Sequence, residues 1–325
     1  MHPTTDDLRS DPLTHRFGDR FNPPGLTNFL GCVQVEADVT AVRNLNFPPF
    51  ATGDHSSMAF ILDGRLFQSL GVPVTITWYP DHVERRCRWR GLSIVTRTFL
   101  PVGVMAVAVI VELKNEGSDC ESEIGVMLQH RVTHTTDWTN WLPPTETNHR
   151  VEVTNGEIIA EARDGRAFAV TLGSPAPDAT TTHGLRYRIH LTAGATWRGV
   201  FVQALGESVS EVRATAFRVV NATDDEFSHC GNDWNRELKA IFTPGNDRYG
   251  GNLPALVTTN EAMRKIYWMG ALGLAYFKRD SPFSVMGRTY DTLMPRYWQT
   301  LTCIWDYFLS APAHVLLDPG VMRKL

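Results

Sequence analysis

From about residue 32 to residue 217, apolar and polar residues alternate with a period of two in one short segment after another. That pattern restricts most of the chain to strands. Val33, Val35, Ala37 and Val39 alternate with Gln34, Glu36, Asp38 and Thr40. Residues 74–79 and 93–99 follow the same rule, and residues 104–113 form a valine-rich apolar run of strand length. Residues 124–132, 151–153, 167–172, 187–191 and 197–204 complete the series. Asp63-Gly64, Asn155-Gly156 and Asp164-Gly165 separate segments at hairpin spacing. Ten or more strands with almost no helical periodicity between them predict a mainly β fold, built on a large antiparallel β-sandwich of the supersandwich type. No fixed repeat is evident, which disfavours a propeller or solenoid.

After Ala216 the period changes. Trp234, Leu238 and Ile241 share a helical face in a connecting helix over residues 224–241. Thr243-Pro244-Gly245-Asn246 and Gly250-Gly251-Asn252 then loosen the chain. Thr258 and Glu261 have capping-box spacing. Behind them Met263, Ile266, Tyr267, Gly270, Leu274 and Phe277 lie on one face, with Lys278 and Arg279 in the last turn. A second helix is predicted from about 296 to 317, with Trp298, Leu301, Trp305, Phe308 and Leu309 in one stripe and Pro312 marking a kink or an early end. Asp318-Pro319 starts a third helix of about six residues, too short to be stable alone. The division expected is a polar N-terminal tail (1–20), a sandwich (21–220), a linker with a helix (221–255) and the opening helices of an incomplete helical domain (256–325). The sequence thus predicts a piece of a longer protein.

Composition narrows the function classes. The 325 residues carry a net charge of −4, with 43% hydrophobic and 20% charged residues, ordinary for a folded soluble protein. Arg85, Arg86, Arg88 and Arg90 alternate with Cys87 and Trp89 as the polar face of a strand would, so a nucleic-acid partner is not expected. The five cysteines, Cys32, Cys87, Cys120, Cys230 and Cys303, are scattered singly, which fits a reducing compartment. No secretory leader or membrane span is visible, and the expected location is cytoplasmic, with no membrane partner. The sequon at Asn221 reads as chance in that setting. Oligomeric state is not set by the sequence.

Arg288-Thr289-Tyr290-Asp291, Arg296-Tyr297-Trp298-Gln299, Ile304-Trp305-Asp306-Tyr307-Phe308 and Leu316-Leu317-Asp318-Pro319 together resemble bacterial glycoside hydrolases with an (α/α)6-barrel catalytic domain. Trehalases, glucoamylase-like enzymes and processing-glucosidase-like enzymes are the relatives meant. The motif covers about 30 residues. Such enzymes place a sandwich ahead of the barrel, an order shared with disaccharide phosphorylases. The resemblance implies a carbohydrate substrate of α-linked gluco type, inverting chemistry and no cofactor or metal. It places Trp305, Asp306, Tyr297, Arg296 and Tyr290 at the substrate. Inversion needs an acid and a base carboxylate about 6.5–9.5 Å apart. In those families both come from later helices, so no catalytic residue is named and this chain alone is expected to be inactive. Physically, Trp305 can stack on the C–H face of a pyranose while Asp306 accepts from its hydroxyls. The alternative puts Trp305 in the helix core and Asp306 on its wet side. A phosphorylase, and a non-catalytic sugar-binding or structural sandwich, stay open as well.

Other constellations carry less. His130 and His134 have the i, i+4 spacing of zinc ligands on a helix, yet in a strand they lie about 13 Å apart. Trp138, Trp141, Pro143 and Pro144 form an aromatic loop, residues 135–148, that either packs on the helical domain or reaches an active-site rim. Asp54-His55-Ser56-Ser57 has nucleophile-type residues without the strand–turn–helix of a nucleophile elbow.

Overall fold

The computed structural model describes residues 2–20, 23–52, 56–134, 149–290 and 304–324, and the side chains among these except for 304–308. Strands dominate, and all their pairings are antiparallel. A nine-stranded sheet runs, edge to edge, through Leu13–His15, Val74–Trp78, His82–Trp89, Leu92–Phe99, Ala106–Asn115, Thr196–Gly206, Phe168–Ser174, Glu157–Glu161 and Arg150–Thr154. Two five-stranded sheets face it, one centred on Cys120–Met127 and Gly184–Leu191, the other on Cys32–Val35 and Val42–Phe47. A single buried core is shared by all three, with Val107, Val109, Val111 and Phe201 from the large sheet, Phe60, Ile124 and Tyr187 from one small sheet, and Val33 and Phe47 from the other.

The apolar run around residue 108 has a direct cause. Val107, Val109 and Val111 point into the inter-sheet core, while Ala106, Ala108 and Ile110 point the opposite way into a second core under helices. A strand buried on both faces cannot alternate. The second core is covered by α1 (Val209–Asn221), α2 (Thr223–Ile241) and α3 (Glu261–Tyr276). The first helix is unexpected, since its residues were read as strand. Val212, Ala216 and Val219 form its buried stripe. A two-stranded hairpin, Lys278–Asp280 with Arg288–Tyr290, follows α3, and α4 (Ile304–Leu317) and α5 (Pro319–Met322) come after it. α4 runs through Pro312.

Several local expectations change. The polar N-terminal segment is tied to the rest of the fold: the Thr5 N–H donates to Asn235 Oδ1 at 2.9 Å, Leu8 is fully buried in the second core, and Leu13–His15 pairs with Val74–Ile76. α3 is capped by Asn260, whose side chain accepts from the Met263 N–H, and not by Thr258. Lys278 and Arg279 sit in the hairpin and are buried, so they are not cations at a helix end. The alternation through residue 40 also breaks early, because the strand ends at Val35.

Residues 36–41 instead wrap a guanidinium. Arg85 points inward and is fully buried, donating to the carbonyls of Glu36, Asp38 and Ala41 at 3.3, 2.7 and 2.9 Å and to Thr98 Oγ1 at 2.5 Å. Arg86, Arg88 and Arg90 are exposed. The Asp38 carboxylate closes the turn by accepting from the N–H groups of Thr40, Ala41 and Phe60. Burial pushes its carboxyl up to about 6, opposed by those donors and by Arg85. Burial likewise lowers the Arg85 guanidinium to about 10, with Asp38 opposing.

Arg85→Met strips the donor from three carbonyls and leaves Asp38 uncompensated. It should cost about 3–5 kcal/mol in urea denaturation, the range for breaking a buried pair. The double variant Asp38→Asn/Arg85→Met should cost less than the sum of the singles. A loss below about 1 kcal/mol for Arg85→Met would show that the turn does not depend on the guanidinium.

Candidate functional site

The densest set of charged side chains lies where α2, the 246–252 loop, the hairpin and the C-terminal end of α4 meet. α2 contributes Asp233 and Glu237, four residues apart and therefore on one face. Glu237 is fully buried. Its Oε1 accepts from Lys278 Nζ and from the Tyr249 hydroxyl, and its Oε2 from Arg248 Nη1 at 2.6 Å. Arg248 Nη2 reaches back to Asp233 Oδ1 at 2.5 Å. Lys278 also lies 4.0 Å from the centroid of the Phe29 ring and 4.9 Å from that of Tyr249, so the ammonium is enclosed by π-faces as well as by a carboxylate.

The hairpin extends the network. Arg288 Nε donates to Asp280 Oδ1 at 2.5 Å and its Nη1 to Asp318 Oδ2 at 3.1 Å. The Tyr290 hydroxyl donates to the same Asp318 oxygen at 3.0 Å, and its ring lies 4.3 Å from His314. Asp318 Oδ1 takes the Gly250 N–H at 3.4 Å. The 246–252 loop approaches α4 so closely that a Cβ on Gly251 would lie 2.1 Å from the Leu316 carbonyl oxygen, so only glycine fits.

Electrostatically the cluster is closed. Burial and the neighbouring Glu237 charge hold the Tyr249 phenol well above its usual range, so it stays a neutral donor. Burial pushes the Lys278 ammonium down, opposed by Glu237. Burial also works against the charge on Arg248 and Arg288, but their hydrogen-bonded carboxylates win and both are held above the usual range. His314 is pushed down to about 4 by burial and is neutral at pH 7. Asp233, Glu237, Asp280 and Asp318 each bind a cation, so this cluster offers no spare general acid or base. What it does is position chain: it ties Arg288 and Tyr290, on one side of residues 291–303, to Asp318 at the far end of α4.

Two of the four motif segments singled out in the sequence are therefore in contact, Arg288–Tyr290 and Leu316–Pro319. Tyr290 is fully buried and its hydroxyl donates to Asp318. Arg296 and Tyr297 lie outside the described residues, as do Trp138, Trp141, Asp54 and His55. Trp305 and Asp306 fall in the first turn of α4, with their side chains outside the description. His130 Nε2 is 2.7 Å from the Thr182 carbonyl oxygen and His134 packs on Phe50. Among the described residues no group of three His, Cys, Asp or Glu side chains could hold a metal, and no helix is long and apolar enough to cross a membrane. Asp233, Glu237, Arg248 and Tyr249 escaped the sequence reading. The only available signal was a Glu and an Asp on the apolar stripe of α2.

No family model matches the chain and no curated protein matches it. Among solved structures, a protein described as a kojibiose phosphorylase from the human microbiome superposes with a TM-score of 0.53 at 8% identity, over 87% of this chain and 43% of that one. A bacterial glucoamylase complexed with acarbose has a TM-score of 0.46 at 11% identity, over 82% of this chain and 44% of the other. A family GH92 α-mannosidase from Bacteroides thetaiotaomicron has a TM-score of 0.38 at 10% identity, over 78% and 39%. The chain spans less than half the length of each. The first likeness shows a shared fold.

Glu237→Gln should leave Lys278 and Arg248 underpaired in the interior and cost about 3–5 kcal/mol in chemical denaturation. A near-neutral effect would mean the junction does not depend on that carboxylate. His314 gives a pH signature: burial holds its folded value at about 4, below the ordinary imidazole value of about 6.5, so the unfolded chain binds the extra proton. Its contribution is intact above pH 6.5 and is lost as pH falls toward 4. Thermal melts of His314→Phe should therefore show a shallower acid slope than the parent across that window. Equal slopes would dismiss the assignment.

Proposed function

We propose that this chain is the sandwich and opening helices of a carbohydrate-active enzyme working on an α-linked gluco-type oligosaccharide or glycoside. The observation that carries the proposal is the fold shared with the kojibiose phosphorylase over 87% of the chain. Residues 256–325 are then the first helices of an (α/α)6 barrel, and residues 221–255 are the connection to it. Exposed apolar faces support that division. Ile266 on α3 and Leu309 on α4 are 73% and 74% exposed, more than a solvated helix of a finished domain would leave uncovered.

In this proposal Trp305, Asp306, Tyr297 and Arg296 contact the sugar, and Tyr290, Arg288, Asp318 and the Glu237 cluster hold their backbone in place. Trp305 stacks on a pyranose face and Asp306 accepts from two hydroxyls. The chemistry is inverting hydrolysis with the acid and base supplied by later helices. A phosphorylase of the same domain order is the second reading, favoured by what the fold neighbour is described to be. Phosphate separates the two: an α-glucobiose such as kojibiose should yield glucose alone by hydrolysis, and glucose plus a glucose phosphate by phosphorolysis.

Calorimetric titration with maltose and kojibiose tests the site. Trp305→Ala should weaken binding by about 1–3 kcal/mol, the range for a buried aromatic contact. Asp306→Asn should weaken it by about 1.4–3 kcal/mol with no change in folding, as loss of a charge-assisted acceptor. Unchanged affinity with a melting point several degrees lower would make Trp305 a core residue and remove the proposed site.

A further inference from the structure

The hairpin loop of residues 281–287 contains no charged residue, and it presents its aromatic ring outward. Phe283 is 47% exposed and Val285 beside it is entirely exposed. A lone exposed aromatic is ordinary on a protein surface. Phe283 differs in being held from two sides. Its edge meets Phe50 of the small sheet at 5.5 Å between centroids and 90°, so its orientation is set by the sheet domain. Its own loop is stitched by backbone bonds from Ser281 to Gly287 at 3.0 Å, Ser284 to Ser281 at 3.2 Å and Gly287 to Ser284 at 3.0 Å. Gly287 adopts the left-handed conformation that the tight return requires.

Polar groups flank the ring. Ser281 Oγ accepts the Phe283 N–H at 3.3 Å and Ser284 Oγ accepts the Met286 N–H at 3.2 Å. Each hydroxyl keeps a proton to donate and a lone pair to offer. His134 also packs against Phe50, at 5.7 Å between centroids. A rigid apolar face, hydroxyls at its margin and no charge match a neutral amphipathic ring better than an anion or a cation.

We propose that Phe283, flanked in sequence by Ser281 and Ser284 at the seam between the small sheet and the hairpin, is a stacking platform for a pyranose ring. The ligand class rests on the carbohydrate reading above, whereas the location does not. Phe283 takes the C–H face of the ring and the two serines exchange hydrogen bonds with its hydroxyls.

The test uses the whole chain, with maltose and glucose as probes, followed by ligand-observed saturation-transfer NMR and calorimetry. Phe283→Ala should weaken maltose binding at least tenfold, and Phe283→Tyr should stay within threefold of the parent. Because Phe283 is half exposed, both variants should melt within a few degrees of it. Maltose binding unchanged in Phe283→Ala overturns the platform. If Trp305→Ala alone abolishes binding, the platform fails while the proposed function stands. If Phe283→Ala alone abolishes it, the platform stands and the Trp305 site fails. Failure of the parent to bind either sugar overturns the platform, as does a Phe283-dependent dimer in analytical ultracentrifugation without sugar binding.

Discussion

A carboxylate with no access to water has to find its partners inside the protein, and Glu237 finds them in three side chains on two separate pieces of chain. Arg248 and Tyr249 come from the loop after α2, and Lys278 from the hairpin after α3. Lys278 in turn rests against Phe29, which belongs to the sheet domain. The desolvation cost of an ionised group is large, and only several simultaneous partners offset it. Each element therefore has to be in place for the others to be stable there. The Asp280 N–H to Phe29 carbonyl bond and the bond from the Arg279 guanidinium to Thr27 Oγ1 add further connections across the same seam.

The sheet domain solves a similar problem differently. Arg85 is satisfied chiefly by backbone carbonyls and one threonine, with Asp38 close enough to balance its charge but occupied with N–H donors of its own turn. Such a cation organises a single local loop. The Glu237 cluster organises several elements distant in sequence. Both are positional devices, and neither leaves a carboxylate free for chemistry.

The sheet architecture was legible because strand alternation is a local property: residues 93–99 and 187–191 show it, and both lie in strands. α1 was not legible. Its β-branched sequence and the preceding run of strands masked a stripe of Val212, Ala216 and Val219. Lys278 and Arg279 were assigned to a helix end because cations favour that place, whereas their partners are a carboxylate 41 residues away and a threonine 252 residues away. No local pattern encodes such distances. Tyr290 was singled out as a motif residue, but its burial against Asp318 and His314 is something only the folded hairpin brings about. Trp305 and Asp306 stand as a candidate pair on their residue types together with the motif resemblance, since side-chain type alone leaves the helix-core alternative open.

The anchoring of the first residues sets an order on biosynthesis. Thr5 bonds to Asn235 and Leu8 lies in a core completed by α1, α2 and α3, so these two residues have no stable resting place until more than two hundred later residues exist. At about 5–20 residues per second a ribosome needs about 10–50 seconds to reach α2. During that interval the edge Val74–Trp78, which Leu13–His15 can already cover, protects the growing sheet from pairing with a neighbouring nascent chain.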